Sequence, residues 1–197
     1  KISQENVLNF IEWSKKQYNF HKEEVFANLN GLHFDNSVFD IYASLFNGYT
    51  LVPFNKNELL DPNFFIKISK IFKISNWFSV PSLILYFLRF NCISDKKLPF
   101  IKRMIFGGEA FLKKELKNLF KKTKNKIKLY NVYGPTECTC ICSSYLIKNK
   151  DFKKNEMKRY APLGKKMINK FKYEVVKSDG TKVANGEKGE LILKGAN

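Results

Sequence analysis

"KRMIFGGEAFLKKELKNLFKKTKNKIKLYNVYGPTE", residues 102–137, reads as a strand, a helix and a second strand. The first piece, "KRMIF" (102–106), is a short apolar run stopped by Gly107-Gly108, the pattern of a strand entering a turn. Residues 111–122 carry the alternation of an amphipathic helix, and "KIKLYNVY" (126–133) is the second strand, stopped by Gly134-Pro135. Two strands joined by a helix of this length form a βαβ unit, and its strands run parallel.

The same alternation extends outward. Ser3 opens a helix as an N-cap, with Val7, Leu8, Phe10, Ile11 and Tyr18 at helical spacing. A strand follows at Val25–Leu29. Val38, Ile41, Tyr42, Leu45 and Phe46 then form a helical face that ends near Gly48. "YTLVPF" (49–54) is strand-like, a helix runs through Phe64, Ile68 and Ile71, "NWFSV" (76–80) is another strand, and Pro81 opens a further helix. The pattern predicts an α/β fold with a mostly parallel sheet and flanking helices. Ligands of such sheets bind outside the carboxyl ends of the strands, where Gly107-Gly108 and Gly134 both fall.

Beyond about residue 147 the texture changes. Strand-like pieces at 171–177 and 190–194 are linked through "SDGT", a hairpin-type turn, and "NGEKGE". We therefore expect an α/β core over 1–147 and the start of a small antiparallel β subdomain over 148–197. There is no internal repeat and no low-complexity linker.

The chain has 197 residues, 44% apolar and 15% aromatic, which suits a globular protein with one good core or two small ones. No apolar run approaches the roughly 20 residues that span a bilayer, and the first ten residues do not form a secretion signal. The first residue is Lys rather than Met, so a fragment of something longer is expected. The net charge of +17 raises nucleic acid as a partner. The lysines, however, are scattered in ones and twos over the polar faces of helices, and no nucleic-acid-binding motif accompanies them. They read as a solvated basic surface, with neither nucleic acid nor membrane as a partner. Four cysteines with no oxidising address are expected to be free thiols in a cytoplasmic protein.

Two constellations could carry chemistry. Cys138, Cys140 and Cys142 alternate, which in a strand would project all three to one face. Zinc usually takes cysteine pairs spaced by two to four residues, and the other candidates, Cys92, His21 and His33, lie far away in sequence. Three small side chains packed on the buried face of a strand are the expected outcome. Gly134-Pro135-Thr136-Glu137 differs, since it follows a strand and offers a close backbone approach, a hydroxyl donor and a hard oxygen. That combination suits a phosphate with its Mg²⁺, although a plain tight turn would read the same way.

Here the sequence reaches a resemblance. "NVYGPTE" (131–137) resembles the adenine- and phosphate-binding signature of the adenylate-forming superfamily, which includes nonribosomal peptide synthetase adenylation domains and acyl-CoA synthetases. "FDNSVFDIYASLFNGYTLVP" (34–53) is similar to the segment that opens the amino-acid pocket of those domains, and "IFGGEAF" (105–111) to their Gly-Gly-Glu turn. "PLGKKM" (162–167) and "GEKGELILKG" (186–195) are similar to later core motifs. Order and spacing agree over nearly the whole chain. Through "NWFSVPS" and the short loops the likeness extends to D-alanine–carrier protein ligases.

The resemblance implies roles. Tyr133 would stack on adenine, Asn131 would bond its amino group, and Gly107, Gly108 and Glu109 would pack along the base, with Val132 and Gly134 beside them. Thr136 would contact the α-phosphate and Glu137 would hold Mg²⁺. Asp35 would pair with the substrate ammonium, a reading that competes with a simple helix N-cap at that position. Asn36, Phe39, Ile105, Gly107, Val132, Cys140 and Ile141 would line the side-chain pocket; Phe39 and Ile141 restrict it, and Gly107 leaves space. The reaction implied is ATP-dependent formation of an aminoacyl-adenylate with release of pyrophosphate, then transfer to a carrier-protein phosphopantetheine thiol. An acyl- or aryl-CoA ligase of the same superfamily and a non-catalytic nucleotide-binding scaffold are the alternatives. The family's glycine-rich phosphate loop is expected before Lys1, and its lid domain with the catalytic lysine after Asn197, so this piece alone is expected to be inactive.

Overall fold

The computed structural model describes residues 1–124, 126–152, 160–164 and 171–195. The elements run α1 (Gln4–Tyr18), β1 (Val25–Asn28), α2 (Asn36–Leu45), β2 (Thr50–Pro53), α3 (Lys56–Leu59), α4 (Pro62–Ile71), β3 (Asn76–Ser79) and α5 (Pro81–Arg89). They continue with β4 (Arg103–Phe106), α6 (Lys113–Thr123), β5 (Lys128–Tyr133), β6 (Ser143–Leu146), β7 (Lys172–Val176) and β8 (Glu190–Lys194). Residues 165–167, the second half of the "PLGKKM" motif, lie outside the described residues.

Six strands form one sheet in the order β2-β1-β3-β4-β5-β6. The first five are parallel, as the βαβ pattern predicts, and β6 pairs antiparallel to β5 at the edge. The sheet is covered on both sides, so alternate residues of one strand enter different cores. Ala27, Trp77, Met104, Phe106 and Leu129 face α4, α5 and α6, joining Phe65, Ile84, Phe87, Leu116 and Leu119. Phe26, Phe78, Ile105, Tyr130 and Val132 face α1 and α2, joining Phe10, Tyr18, Phe39 and Ala43. Every residue of β3 and β4 is buried, the polar Asn76, Ser79 and Arg103 included.

The helix signals act as read. Ser3 caps α1 through a reciprocal box with Asn6, and Pro81 stands in the first turn of α5. α2 ends at Leu45, and Gly48, at φ +74°, turns the chain toward β2. α3 is a short addition, closed by a second capping box between Asn55 and Glu58. β7 and β8 form a separate two-stranded antiparallel sheet. The "SDGT" turn leads out of β7, with Gly180 at φ +83° and Lys177 donating its amide to the Thr181 carbonyl at 2.8 Å.

The cysteine stretch departs from the expected strand. Thr136–Cys138 form one turn of 3-10 helix, and Thr139 and Cys140 have φ of +57° and +73°, which strand backbone does not adopt. Regular pairing with β5 begins only at Ser143. The three thiols nevertheless pack into one core cluster. Among the described residues no helix is long and apolar enough to cross a membrane.

Candidate functional site

Four loops gather at the carboxyl ends of the parallel strands: Leu29–Asp35 after β1, Val80 after β3, Gly107–Glu109 after β4 and Gly134–Cys142 after β5. The loop after β1 carries the start of α2 across the neighbouring strand ends. A Cβ at Gly108, φ +81°, would lie 3.5 Å from both the Asn36 side chain and Val80. At the far end of this crossing, Thr136 Oγ1 donates to Asp35 Oδ2 at 3.0 Å, joining residues 101 positions apart. Asp35 occupies the N-cap position of α2 but makes no capping hydrogen bond with its side chain. The N-cap reading is thus corrected: the half-buried carboxylate is turned toward the loop after β5.

That loop is held by close backbone packing. A Cβ at Gly134 would lie 2.4 Å from the Cys140 carbonyl oxygen and 2.7 Å from Ile141 Cα, so only glycine fits. The Tyr133 carbonyl accepts from the Cys142 amide at 2.9 Å and faces its thiol at 3.4 Å. Tyr133 itself is half-buried, and Thr136 and Glu137 are exposed. No hydrogen bond or ion pair engages the Glu137 carboxylate among the described residues. Asn131 is buried on β5, and its Nδ2 donates to the Pro162 carbonyl at 3.0 Å, which fixes the amide's orientation. Glu109 is engaged with the start of α5. Its carboxylate accepts from the Ser82 amide and hydroxyl, both at 3.0 Å, and caps the positive end of α5.

Phe39, Ile105, Val132, Cys140 and Ile141 all fall in the core cluster under α1 and α2. The structure therefore brings these five into one core cluster. The space expected at Gly107 is filled: a Cβ there would lie 2.7 Å from Val132 Cγ2 and 2.8 Å from the Val132 carbonyl oxygen. Gly107 thus serves the close approach of β4 to β5, and Val132 takes up the room. Burial, with Asp35 and then Asp40 nearby, pushes the Cys140 thiol well above its ordinary value. Burial likewise raises Cys142 to about 12, with the Cys138 thiol close by. Protonated buried thiols are poor metal ligands, and among the described residues no group of three His, Cys, Asp or Glu is placed to hold a metal.

Asp40 is the residue that sequence reasoning missed. It is wholly buried in α2, and burial raises its carboxyl to about 7 against the pull of hydrogen bonds from Asn30, Asn28 and Leu29. Its signal was visible, since it is an acidic side chain inside the otherwise apolar face "VFDIYASLF".

Comparison with known proteins agrees with this architecture. The L-proline–[L-prolyl-carrier protein] ligase of Pseudomonas fluorescens is 31% identical over 194 residues, covering 98% of this chain and 38% of that ligase. The D-alanine–D-alanyl carrier protein ligase of Bacillus licheniformis is 30% identical over 201 residues, 100% of this chain and again 38% of the ligase. The chain thus spans less than two fifths of the length of these curated relatives. Among solved structures, the Vibrio cholerae adenylation domain AlmE, in complex with glycyl-adenosine-5'-phosphate, has a TM-score of 0.80 at 24% identity. It covers 98% of this chain and 36% of its own, and it shares the fold. A single family model, described as AMP-binding enzyme, matches residues 1–197, and the chain belongs to that family.

Proposed function

We propose that the protein activates an amino acid with ATP, forming an aminoacyl-adenylate and pyrophosphate. The aminoacyl group then passes to the phosphopantetheine thiol of a carrier protein in the cytoplasm. The contact between Asp35 and Thr136 at 3.0 Å carries this reading. In an α-amino acid the ammonium stands one carbon from the carboxylate, and the carboxylate must reach the α-phosphorus. The group that holds the ammonium and the group that steadies the α-phosphate must therefore be neighbours, and these two are. The names of the proline and D-alanine carrier protein ligases support the same substrate class. The division near residue 147, after the last strand of the large sheet, belongs to this proposal as the border of the nucleotide- and substrate-binding core.

In this reading Asp35 pairs with the ammonium, a partner that a half-buried carboxylate needs. Asn36, Phe39, Ile105, Gly107, Val132, Cys140 and Ile141 bound the side-chain end. Asn131 and Tyr133 hold the adenine, with Gly107, Gly108 and Glu109 along its edge and Gly134 letting the turn come close. A carboxylate oxygen attacks the α-phosphorus and the bond to pyrophosphate breaks. Two anions must meet, so the protein works by positioning and neutralising charge. Once the ammonium takes Asp35, the single hydroxyl hydrogen of Thr136 turns from that carboxylate to the α-phosphate. Glu137, an exposed and unengaged carboxylate beside it, fits Mg²⁺, which prefers hard oxygen. When bound there, the ion offsets phosphate charge.

Amino-acid-dependent exchange of pyrophosphate into ATP by the full-length protein, screened over L- and D-amino acids, tests the proposal. Exchange with one or a few amino acids is expected. Silence over the panel from a folded protein overturns it, and turnover of plain carboxylic acids alone would point to the acyl-ligase alternative. Glu137→Ala is expected to lower Mg²⁺-dependent exchange by roughly 100-fold or more, an effect of the size seen when one transition-state charge stabiliser is removed. An unchanged rate removes Glu137 from the metal site.

A further inference from the structure

Asp40 stands five residues after Asp35 on α2, with its carboxyl group fully buried. Its Oδ2 accepts four N–H groups: Asn28 Nδ2 at 3.1 Å, the Leu29 amide at 3.2 Å, the Asn30 amide at 3.3 Å and Asn30 Nδ2 at 2.9 Å. Asn30 Nδ2 also donates to the Phe78 carbonyl at 3.0 Å, near the end of β3. One oxygen atom thus gathers the carboxyl ends of β1 and, through Asn30, β3 onto the helix that carries Asp35, Asn36 and Phe39. The other oxygen, Oδ1, is buried with no hydrogen-bond partner among the described residues. No cation pairs with Asp40 among those residues either. Burying a carboxyl without a cation is unfavourable, and the four N–H bonds that offset the cost all come from the turn at 28–30 rather than from apolar contacts. The arrangement therefore needs a reason other than packing.

We propose that Asp40 is a positioning residue for the amino-acid site: it locks the turn at 28–30 against α2 and so sets where Asp35 and Phe39 stand relative to the loop after β5. The inference rests on the reading of Asp35 as the ammonium partner. It predicts an effect on the amino acid and not on the nucleotide, because Asn131, Tyr133 and Glu137 belong to β5 and the loop after it, outside this hydrogen-bond network.

The test measures KM for the amino acid and for ATP separately in pyrophosphate exchange by the full-length protein. Asp40→Ala is expected to raise the amino-acid KM about tenfold or more while the ATP KM stays within about twofold. Asp40→Asn keeps an acceptor at the Oδ2 position and should restore the amino-acid KM to within about threefold of wild type. Asn30→Ala, which removes only the side-chain links to Asp40 and Phe78, is expected to raise it by a smaller factor. An unchanged amino-acid KM in folded Asp40→Ala, or both KM values rising together, overturns the inference. Should Asp40→Ala fail to fold, Asn30→Ala decides, and an unchanged amino-acid KM there overturns it equally. A silent wild type removes the amino-acid reading and this inference with it. An active wild type with unaltered variants removes this inference alone.

Discussion

Gly134 shows how tightly the candidate site depends on single atoms. Its φ lies outside the left-handed region, so an alanine there meets no torsional penalty. The obstacle is steric, because the added Cβ would sit 2.4 Å from the Cys140 carbonyl oxygen and 2.8 Å from its carbon, both main-chain atoms. Either the turn at 134–137 or residues 140–141 must move, and the Thr136–Asp35 contact moves with the turn. Gly134→Ala is expected to lower stability by about 1–3 kcal/mol, as for an overpacked core, and to lower exchange by more than that loss explains. Chemical denaturation and pyrophosphate exchange on the same preparation check both parts; a stable variant with full exchange would refute the steric account. At this scale the sequence was readable for position: glycine at a strand end, with a hydroxyl and a carboxylate just beyond it. It was unreadable where chemistry depends on a neighbour distant in the chain. Asp35 could still be read as a helix cap until Thr136 appeared beside it, and the room at Gly107 looked open until Val132 filled it.

At the scale of elements, the parallel core was legible because each strand is a short apolar run and each helix carries its own start signal. β6 was not, since its four residues follow two left-handed positions at Thr139 and Cys140 that neither residue type announces. Nor did the pattern show how α1 is fastened to the sheet. Arg103 of β4 does this: Nε donates to the Tyr18 carbonyl at 2.9 Å, Nη2 to the Asn19 carbonyl at 3.0 Å, and Nη1 to Glu24 at 3.1 Å and Asn76 at 3.2 Å. Glu24 is buried. Burial alone would raise its carboxyl, but Ser75, Arg103, Asn76 and Lys102 together outweigh that and hold it below its ordinary value. Its contribution to stability is therefore full above the ordinary carboxylate range and is lost as pH falls through the lowered folded value. Arg103→Met leaves a buried carboxylate without its main cation and is expected to destabilise by about 3–5 kcal/mol near neutral pH. The sign of the pH response should also reverse. Without the guanidinium, burial raises the Glu24 carboxyl, so acidifying from neutral toward about pH 5 should recover part of the loss in the variant and none in wild type. Denaturant midpoints at the two pH values decide it. A variant that weakens further on acidification would show that Arg103 does not govern Glu24.

The whole molecule carries 35 basic and 18 acidic residues, and the structure sharpens what that excess means. Several acidic side chains that are buried or capping are already engaged, among them Glu24 with Arg103 and Lys102, Asp151 with Tyr145 and the Lys148 amide, and Glu109 with α5. On α6 and just beyond it, Lys114, Lys121, Lys124 and Lys128 are exposed on one short stretch of chain; the sole acid within α6 is Glu115, and Lys126 pairs with Asp95 at 3.1 Å. Like charges so spaced repel across water, and salt screens them over a Debye length of about 10 Å at 0.1 M. Net self-repulsion destabilises the compact state, so raising NaCl from about 20 mM to about 300 mM is expected to raise Tm by a few degrees. The surface ion pairs pull the other way, but each is worth at most about 1 kcal/mol and is screened by the same salt. They include Lys16 with Glu12 and Lys182 with Glu174. The net sign therefore reports which dominates, and a Tm that falls with salt would mean that local pairing outweighs the excess of +17. The same titration separates a solvated surface from a nucleic-acid footprint. Retention of DNA through unselective contacts should vanish between about 50 and 200 mM salt and leave pyrophosphate exchange unaltered. DNA binding that persists through that range and competes with exchange would instead make the basic surface part of the function.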